Sequence, residues 1–150
     1  MNRRRRKKLS GRLVSAVLVG DPARVRALLR AGAPAETADS AGTTPLYQAA
    51  VNGDAGLVRL LLAAGASPDT ESGIGSEGTP LCGAACWGHT ETVRALLAHG
   101  ADPDLREDHG TGWSPLDWAT RGPHPETAEL LIAAGARPGP ASASTGPDND

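Results

Sequence analysis

Apolar residues recur along this chain at helical spacing. Val25 precedes Leu28-Leu29, Val58 precedes Leu61-Leu62, Val93 precedes Leu96-Leu97, and Ala128 precedes Leu131-Ile132. Side chains at i, i+3 and i+4 share one face of a helix, so each run predicts an amphipathic helix. Each run ends in a Gly-Ala pair, at Gly32-Ala33, Gly65-Ala66, Gly100-Ala101 and Gly135-Ala136, with steps of 33, 35 and 35 residues. Glycine at that place predicts a left-handed residue closing the helix.

Two further landmarks keep the same phase. Thr44-Pro45-Leu46, Thr79-Pro80-Leu81 and Ser114-Pro115-Leu116 each read as a helix start. The hydroxyl caps a free N–H, and proline takes the first helical position, where no donor is needed. Small pairs follow, Ala49-Ala50 and Ala84-Ala85, which let helices approach closely. Gly20, Gly53 and Gly88 then predict a tight turn between the two helices of a copy. The first copy has Gly11-Arg12-Leu13 where the others have the hydroxyl-proline start. In the fourth copy Pro123 stands at the turn; proline cannot take positive φ, so Gly122 is expected to serve and the turn to be irregular.

Each copy is therefore helix, turn, helix and a loop of ten or twelve residues rich in Pro, Asp, Gly and Ser. Such a unit cannot bury its apolar face alone, and stacking of at least about three copies is needed. The reading is an all-α solenoid with copies at about 9–40, 41–75, 76–110 and 111–138. Residues 1–8 are expected to be a disordered basic arm, and residues 139–150 (Pro, Ala, Ser, Gly and Asp) a disordered tail.

The pattern resembles the ankyrin-repeat family. Gly42-Thr43-Thr44-Pro45-Leu46, Ala49-Ala50, Gly53, Val58, Leu61-Leu62 and Gly65-Ala66 carry the likeness in the second copy. Gly78-Thr79-Pro80-Leu81, Ala84-Ala85, Gly88-His89, Val93, Leu96-Leu97 and Gly100-Ala101-Asp102 carry it in the third. The resemblance implies antiparallel helix pairs with β-hairpin-like fingers at right angles, and a scaffold role toward protein partners. The fingers before Thr79 and Ser114 are two residues longer than the one before Thr44, and are expected to project further or bend.

Composition agrees with thin layers. Aromatics are 3% of the chain and Phe is absent, so Leu, Val and Ala must fill the interior. Charge is unevenly spread. Six of fifteen basic residues lie in Arg3-Arg4-Arg5-Arg6-Lys7-Lys8, leaving nine basic against seventeen acidic residues elsewhere. The basic run is open to three readings: contact with nucleic acid or an anionic membrane, a nuclear signal, or a solvated tail. It holds no aromatic for base stacking, and an acidic body repels phosphate. Basic residues followed by Leu13–Val19 mimic a secretory signal, but the run stops at Gly20-Asp21-Pro22 with no cleavage motif and fits the repeat.

Chemistry has few candidates. Cys82 and Cys86 are too few for a disulfide framework and badly spaced on one helix for a bridge, so reduced thiols in the cytoplasm are expected. Cys82, Cys86 and His89 lack the second ligand pair that zinc commonly takes. A Cys-His nucleophile would need an orienting group and a cleft. The glycines follow the repeat and form no phosphate-cradling run. The expectation is a monomeric, non-enzymatic adaptor without cofactor or metal.

The resemblance places partners on finger tips and the exposed side of the first helices. Those positions are Thr43 and Asn52 in the second copy, Ser76, Glu77, Cys86 and Trp87 in the third, and Trp113 and Arg121 in the fourth. Exposed Trp and Arg are frequent hot spots, where truncation costs ~2 kcal/mol or more. Trp87 and Trp113 read either as such anchors or as cover for a seam. Tyr47 and Trp118 read as packing residues. Asp69, Glu71, Glu77, Asp102, Asp104, Glu107 and Asp108 form an acidic rim that would favour a basic partner, or that is simply solvated.

Overall fold

The computed structural model describes residues 2–74 and 77–138. Helix pairs follow one another along it: α1 (Arg3–Leu18) with α2 (Pro22–Arg30), α3 (Pro45–Asn52) with α4 (Ala55–Ala63), α5 (Pro80–Cys86) with α6 (Thr90–Ala98), and α8 (Pro115–Arg121) with α9 (Pro125–Ala133). A single turn, α7 (Glu107–Gly110), sits in the loop before α8. First helices pack in the order α1, α3, α5, α8; the second helices α4, α6 and α9 form a parallel outer row. The core runs between the rows. Leu13, Leu46, Leu81 and Leu116 are buried from the first helices, and Val25, Val58, Val93 and Ala128 from the second. Among the described residues no helix is long and apolar enough to cross a membrane.

The starts form as the sequence dictates. Thr44, Thr79 and Ser114 accept from the backbone N–H of Tyr47, Cys82 and Asp117 at 3.3, 3.1 and 3.1 Å. Ser114 adds a reciprocal bond, its own N–H donating to Asp117 at 2.9 Å. The ends are as regular. The N–H groups of Ala33, Ala66, Ala101 and Ala136 reach back five residues, to Leu28, Leu61, Leu96 and Leu131. The preceding glycines have φ of 92°, 98°, 87° and 101°, the geometry that satisfies the last carbonyls of a helix.

Three expectations are corrected. Residues 3–8 are the first turns of α1 rather than a disordered arm. Arg and Lys are good helix formers, no proline forces a later start, and Asn2 caps the helix by accepting from Arg5 N–H at 2.9 Å. The first copy therefore begins at Arg3, and Gly11 lies inside its helix. At the fourth turn Gly122 is extended (φ −74°, ψ 147°), as a residue before proline prefers. Pro123 has no N–H for the short turn bond; the long bond survives, His124 N–H to Ala119 O at 3.3 Å. Finally, Ile132 is 56% exposed although its spacing places it on the apolar face with Ala128 and Leu131. No further helix covers that side of α9 among the described residues.

The fingers are hairpin tips without assigned strands among the described residues. One backbone bond closes each: Asp39 N–H to Thr43 O, Ser72 N–H to Gly78 O, and Glu107 N–H to Trp113 O. The two extra residues of the later fingers lie inside these loops. In the last, they make a left-handed run in which Asp108, His109 and Gly110 have φ of 52°, 54° and 91°. The expected tail, 139–150, and the expected contact Ser76 lie outside the described residues.

Candidate functional site

A cleft of about 250 Å³ opens between the fingers and the first helices of the second, third and fourth repeats. Glu77, Gly78, Glu107 and Asp108 line it from the fingers; Tyr47, Cys82, Gly83, Cys86, Trp87 and Trp118 line it from the helices. A small residue stands among large ones in its lining. Gly83 stands one period from Trp118 and Gln48, on the short α5. A Cβ there would meet Val51 Cγ2 at 3.0 Å and Tyr47 Cε2 at 3.2 Å. Glycine is a poor helix former, but here its lack of a side chain lets Tyr47 and Val51 lie against α5.

The expected contact residues divide into three groups. Glu77, Cys86 and Trp87 come together in the cleft, with Trp87 62% exposed at its edge. Trp113 and Arg121 form one unit beside it: the guanidinium lies 3.9 Å above the Trp113 ring, and that ring leans on Trp118 at 4.5 Å. Thr43 and Asn52 belong elsewhere. Thr43 is buried, and its hydroxyl donates to Glu77 Oε1 at 2.6 Å. Asn52 sends its amide N–H groups back to the carbonyls of Val17 and Leu18, both at 3.3 Å, closing the end of α1. Both residues are engaged within the protein.

The acidic rim is also occupied internally. Asp69 accepts from Asp102 N–H, Asp104 from Arg137 N–H, and Glu71 from Asp108 N–H, at 3.0, 2.8 and 2.7 Å. Glu36 binds Ser67 N–H and the Thr70 hydroxyl in the same way. Each carboxylate thus ties one finger to the next at the repeat period. Glu77 joins this bracing: Ser72 Oγ donates to it at 2.7 Å while accepting from Thr44 N–H at 2.9 Å.

Tyr47, Trp118 and Glu107 are site residues that sequence reasoning placed in packing or on a solvated rim. The Trp118 indole N–H donates to Glu107 Oε1 at 2.9 Å. Burial pushes the Glu107 carboxyl above its usual range; Trp118 pulls it down, and Asp108 and Glu71 add to the rise. Burial pushes the Cys82 thiol up to about 12, which leaves it protonated at neutral pH and a poor nucleophile. Burial raises Cys86 too, followed by Glu107. His89 Nε2 lies 3.0 Å from the Val51 carbonyl, so the imidazole is committed to the neighbouring repeat. Among the described residues no cluster of His, Cys, Asp and Glu has the makings of a metal site.

A family model of ankyrin repeats in three copies matches residues 68–141, and a single-repeat ankyrin model matches residues 41–72. No curated protein matches the chain. Ankyrin repeats generally mediate protein–protein interaction, and their proteins are generally interaction modules rather than enzymes. The first helix pair, α1 and α2, precedes both matches and packs on α3 through α1. With helix starts, helix ends and finger bonds recurring along the chain, and ankyrin models together matching residues 41–141, the chain belongs to the ankyrin-repeat family.

Proposed function

We propose that this chain is a non-enzymatic scaffold that holds a protein partner on the cleft side of its third and fourth repeats. The observation that carries the reading is Trp87, a large apolar side chain left mostly exposed beside the cleft. Nearby, the pair of Trp113 and Arg121 adds a second anchor of the residue types enriched in hot spots. Thr43 and Asn52, both bonded within the stack, would flank this contact set rather than anchor it. The proposal takes the chain as a monomer in the cytoplasm, where Cys82 and Cys86 remain free thiols. An affinity pull-down with crosslinking should recover a partner with the wild-type chain and lose most of it with the Trp87→Ala, Trp113→Ala double variant. Equal recovery would overturn the assignment of the face.

One observation favours a second reading, binding of nucleic acid or an anionic membrane through residues 3–8. Arg4, Lys7, Lys8, Arg12 and Arg24 line a groove of about 650 Å³ at the first repeat. Helical ordering concentrates their charge on one element, which strengthens attraction to phosphate. This reading predicts binding that falls steeply with salt and disappears when residues 3–8 are deleted. Undiminished binding by the deletion variant would end it.

A further inference from the structure

The cleft has a chemical character that the family does not prescribe. Its walls are aromatic and its floor is acidic. Tyr47, Trp87 and Trp118 supply ring surface; Asp108 adds a carboxylate at the finger, and Glu77 and Glu107 supply two more. Both glutamates are bonded by neutral donors: the hydroxyls of Thr43 and Ser72 for Glu77, and the indole of Trp118 for Glu107. Among the described residues, no ion pair includes either one. The neighbouring cations are engaged, Arg106 with Asp117 at 3.4 Å and Arg121 with the Trp113 ring. Half-buried negative charge without a cation is costly, and a cation that enters the cleft relieves that cost.

We propose that this cleft receives the guanidinium of an arginine side chain from the bound partner, flanked by the Tyr47, Trp87 and Trp118 rings and neutralised by Glu107 and Glu77. The inference rests on the protein-binding reading above and names the chemistry of the partner. Size supports one side chain rather than a larger ligand, given a volume of about 250 Å³. A metal ion does not suit aromatic walls, and the described residues offer it no cluster of ligands. Arginine is favoured over lysine because its planar cation is more weakly hydrated and stacks on aromatic faces. The elevated pKa of Glu107 follows from the same half-buried, uncompensated site.

The test uses N-acetyl-arginine amide as probe and the full chain labelled with nitrogen-15. Millimolar probe should shift the indole N–H signals of Trp118 and Trp87 saturably. Glu107→Gln keeps an acceptor for Trp118 and should weaken binding about tenfold, since an ion pair becomes a bond from the guanidinium to a neutral amide oxygen. Trp87→Ala, at an exposed position that cannot compromise the core, should weaken it as well. N-acetyl-norleucine amide and N-acetyl-lysine amide should give little or no saturable shift. The proposal is overturned if the arginine probe leaves both indole signals unmoved. It is equally overturned if the norleucine or lysine probe matches arginine, or if both variants bind the probe as the wild type does. No partner protein enters this titration, so a negative result alongside a successful pull-down removes the arginine assignment alone.

Discussion

The imidazole Nε2 of His124 lies 3.1 Å from the carbonyl oxygen of Cys86. His89 makes the same bond to Val51 at 3.0 Å, one repeat earlier. A carbonyl only accepts, so Nε2 carries the proton in both rings. In the first two copies the equivalent position is aspartate, and Asp21 and Asp54 cap their own helices at 3.0 Å. The histidines make no such cap; they exchange a bond within a repeat for one between repeats. His89→Ala and His124→Ala should each lower stability by about 1–2 kcal/mol, read by urea denaturation, because each leaves a carbonyl without its partner. A loss below a few tenths would show that these bonds do not hold the stack together.

The same rings explain two glycines. At Gly53 a Cβ would sit 2.6 Å from His89 Nδ1, and at Gly88 2.4 Å from His124 Nδ1, with φ of 71° and 68° at the two positions. Gly53→Ala should therefore cost more than the ~1 kcal/mol of a left-handed alanine alone. In the Gly53→Ala, His89→Ala double variant the clash is gone, and the combined loss should be smaller than the sum of the single losses. Strict additivity in denaturant melts would contradict the contact.

Thr92 is buried in α6, and its Oγ1 has no hydrogen-bond partner among the described residues. Leucine occupies the equivalent place in the second copy, at Leu57. Thr92→Val keeps the shape and removes the unpaired hydroxyl. It should raise stability by about 1 kcal/mol, visible as a higher melting temperature. A lower one would mean that the hydroxyl is satisfied in solution.

Glu107 gives a pH-dependent prediction. Its folded-state carboxyl titrates above the ordinary range, chiefly through burial. The folded chain thus binds this proton more tightly than the unfolded chain does. The stability contribution is fully present below the ordinary carboxylate pKa and is lost as pH rises through the folded value. Glu107→Gln should be more stable than wild type at neutral pH, and the difference should vanish in acid. Denaturation midpoints at several pH values check this; a constant gap across pH would contradict it.

Asp108 and His109 adopt a left-handed backbone that side chains disfavour. Glu71 holds the turn by accepting from both N–H groups, at 2.7 and 3.3 Å. His109→Gly relieves the strain at an exposed side chain that lies 3.5 Å from Glu71, and should stabilise the protein by up to about 1 kcal/mol. Glu71→Ala should do the reverse and expose the Asp108 and His109 amides to hydrogen exchange.

The repeat was legible in the sequence because its signals are local and recur. A capped proline start, a left-handed glycine and an i, i+3, i+4 stripe each report on a few adjacent residues, and Thr79, Gly88 and Val93 behave as their spacing says. The helix in residues 3–8 was missed because charge was read as disorder, while Asn2 and the propensities of Arg and Lys favour a helix. The cleft was half legible. Trp87 stood out as an apolar residue at an exposed position. Glu107 and Trp118 did not, since their meeting depends on a finger of one repeat bending over a helix, a relation that no local pattern encodes. Likewise, Thr43 and the acidic finger residues looked free because their partners lie one repeat away.

The central claim is that a protein partner docks on the cleft side of the third and fourth repeats. Titration calorimetry of the recovered partner against Trp87→Ala and Arg94→Ala tests it most directly. Arg94 is an exposed residue of α6, in the outer row. The account predicts a loss of about 2 kcal/mol for Trp87→Ala, roughly thirtyfold in Kd, and no change for Arg94→Ala. Wild-type affinity in Trp87→Ala, or a comparable loss in Arg94→Ala, would contradict it.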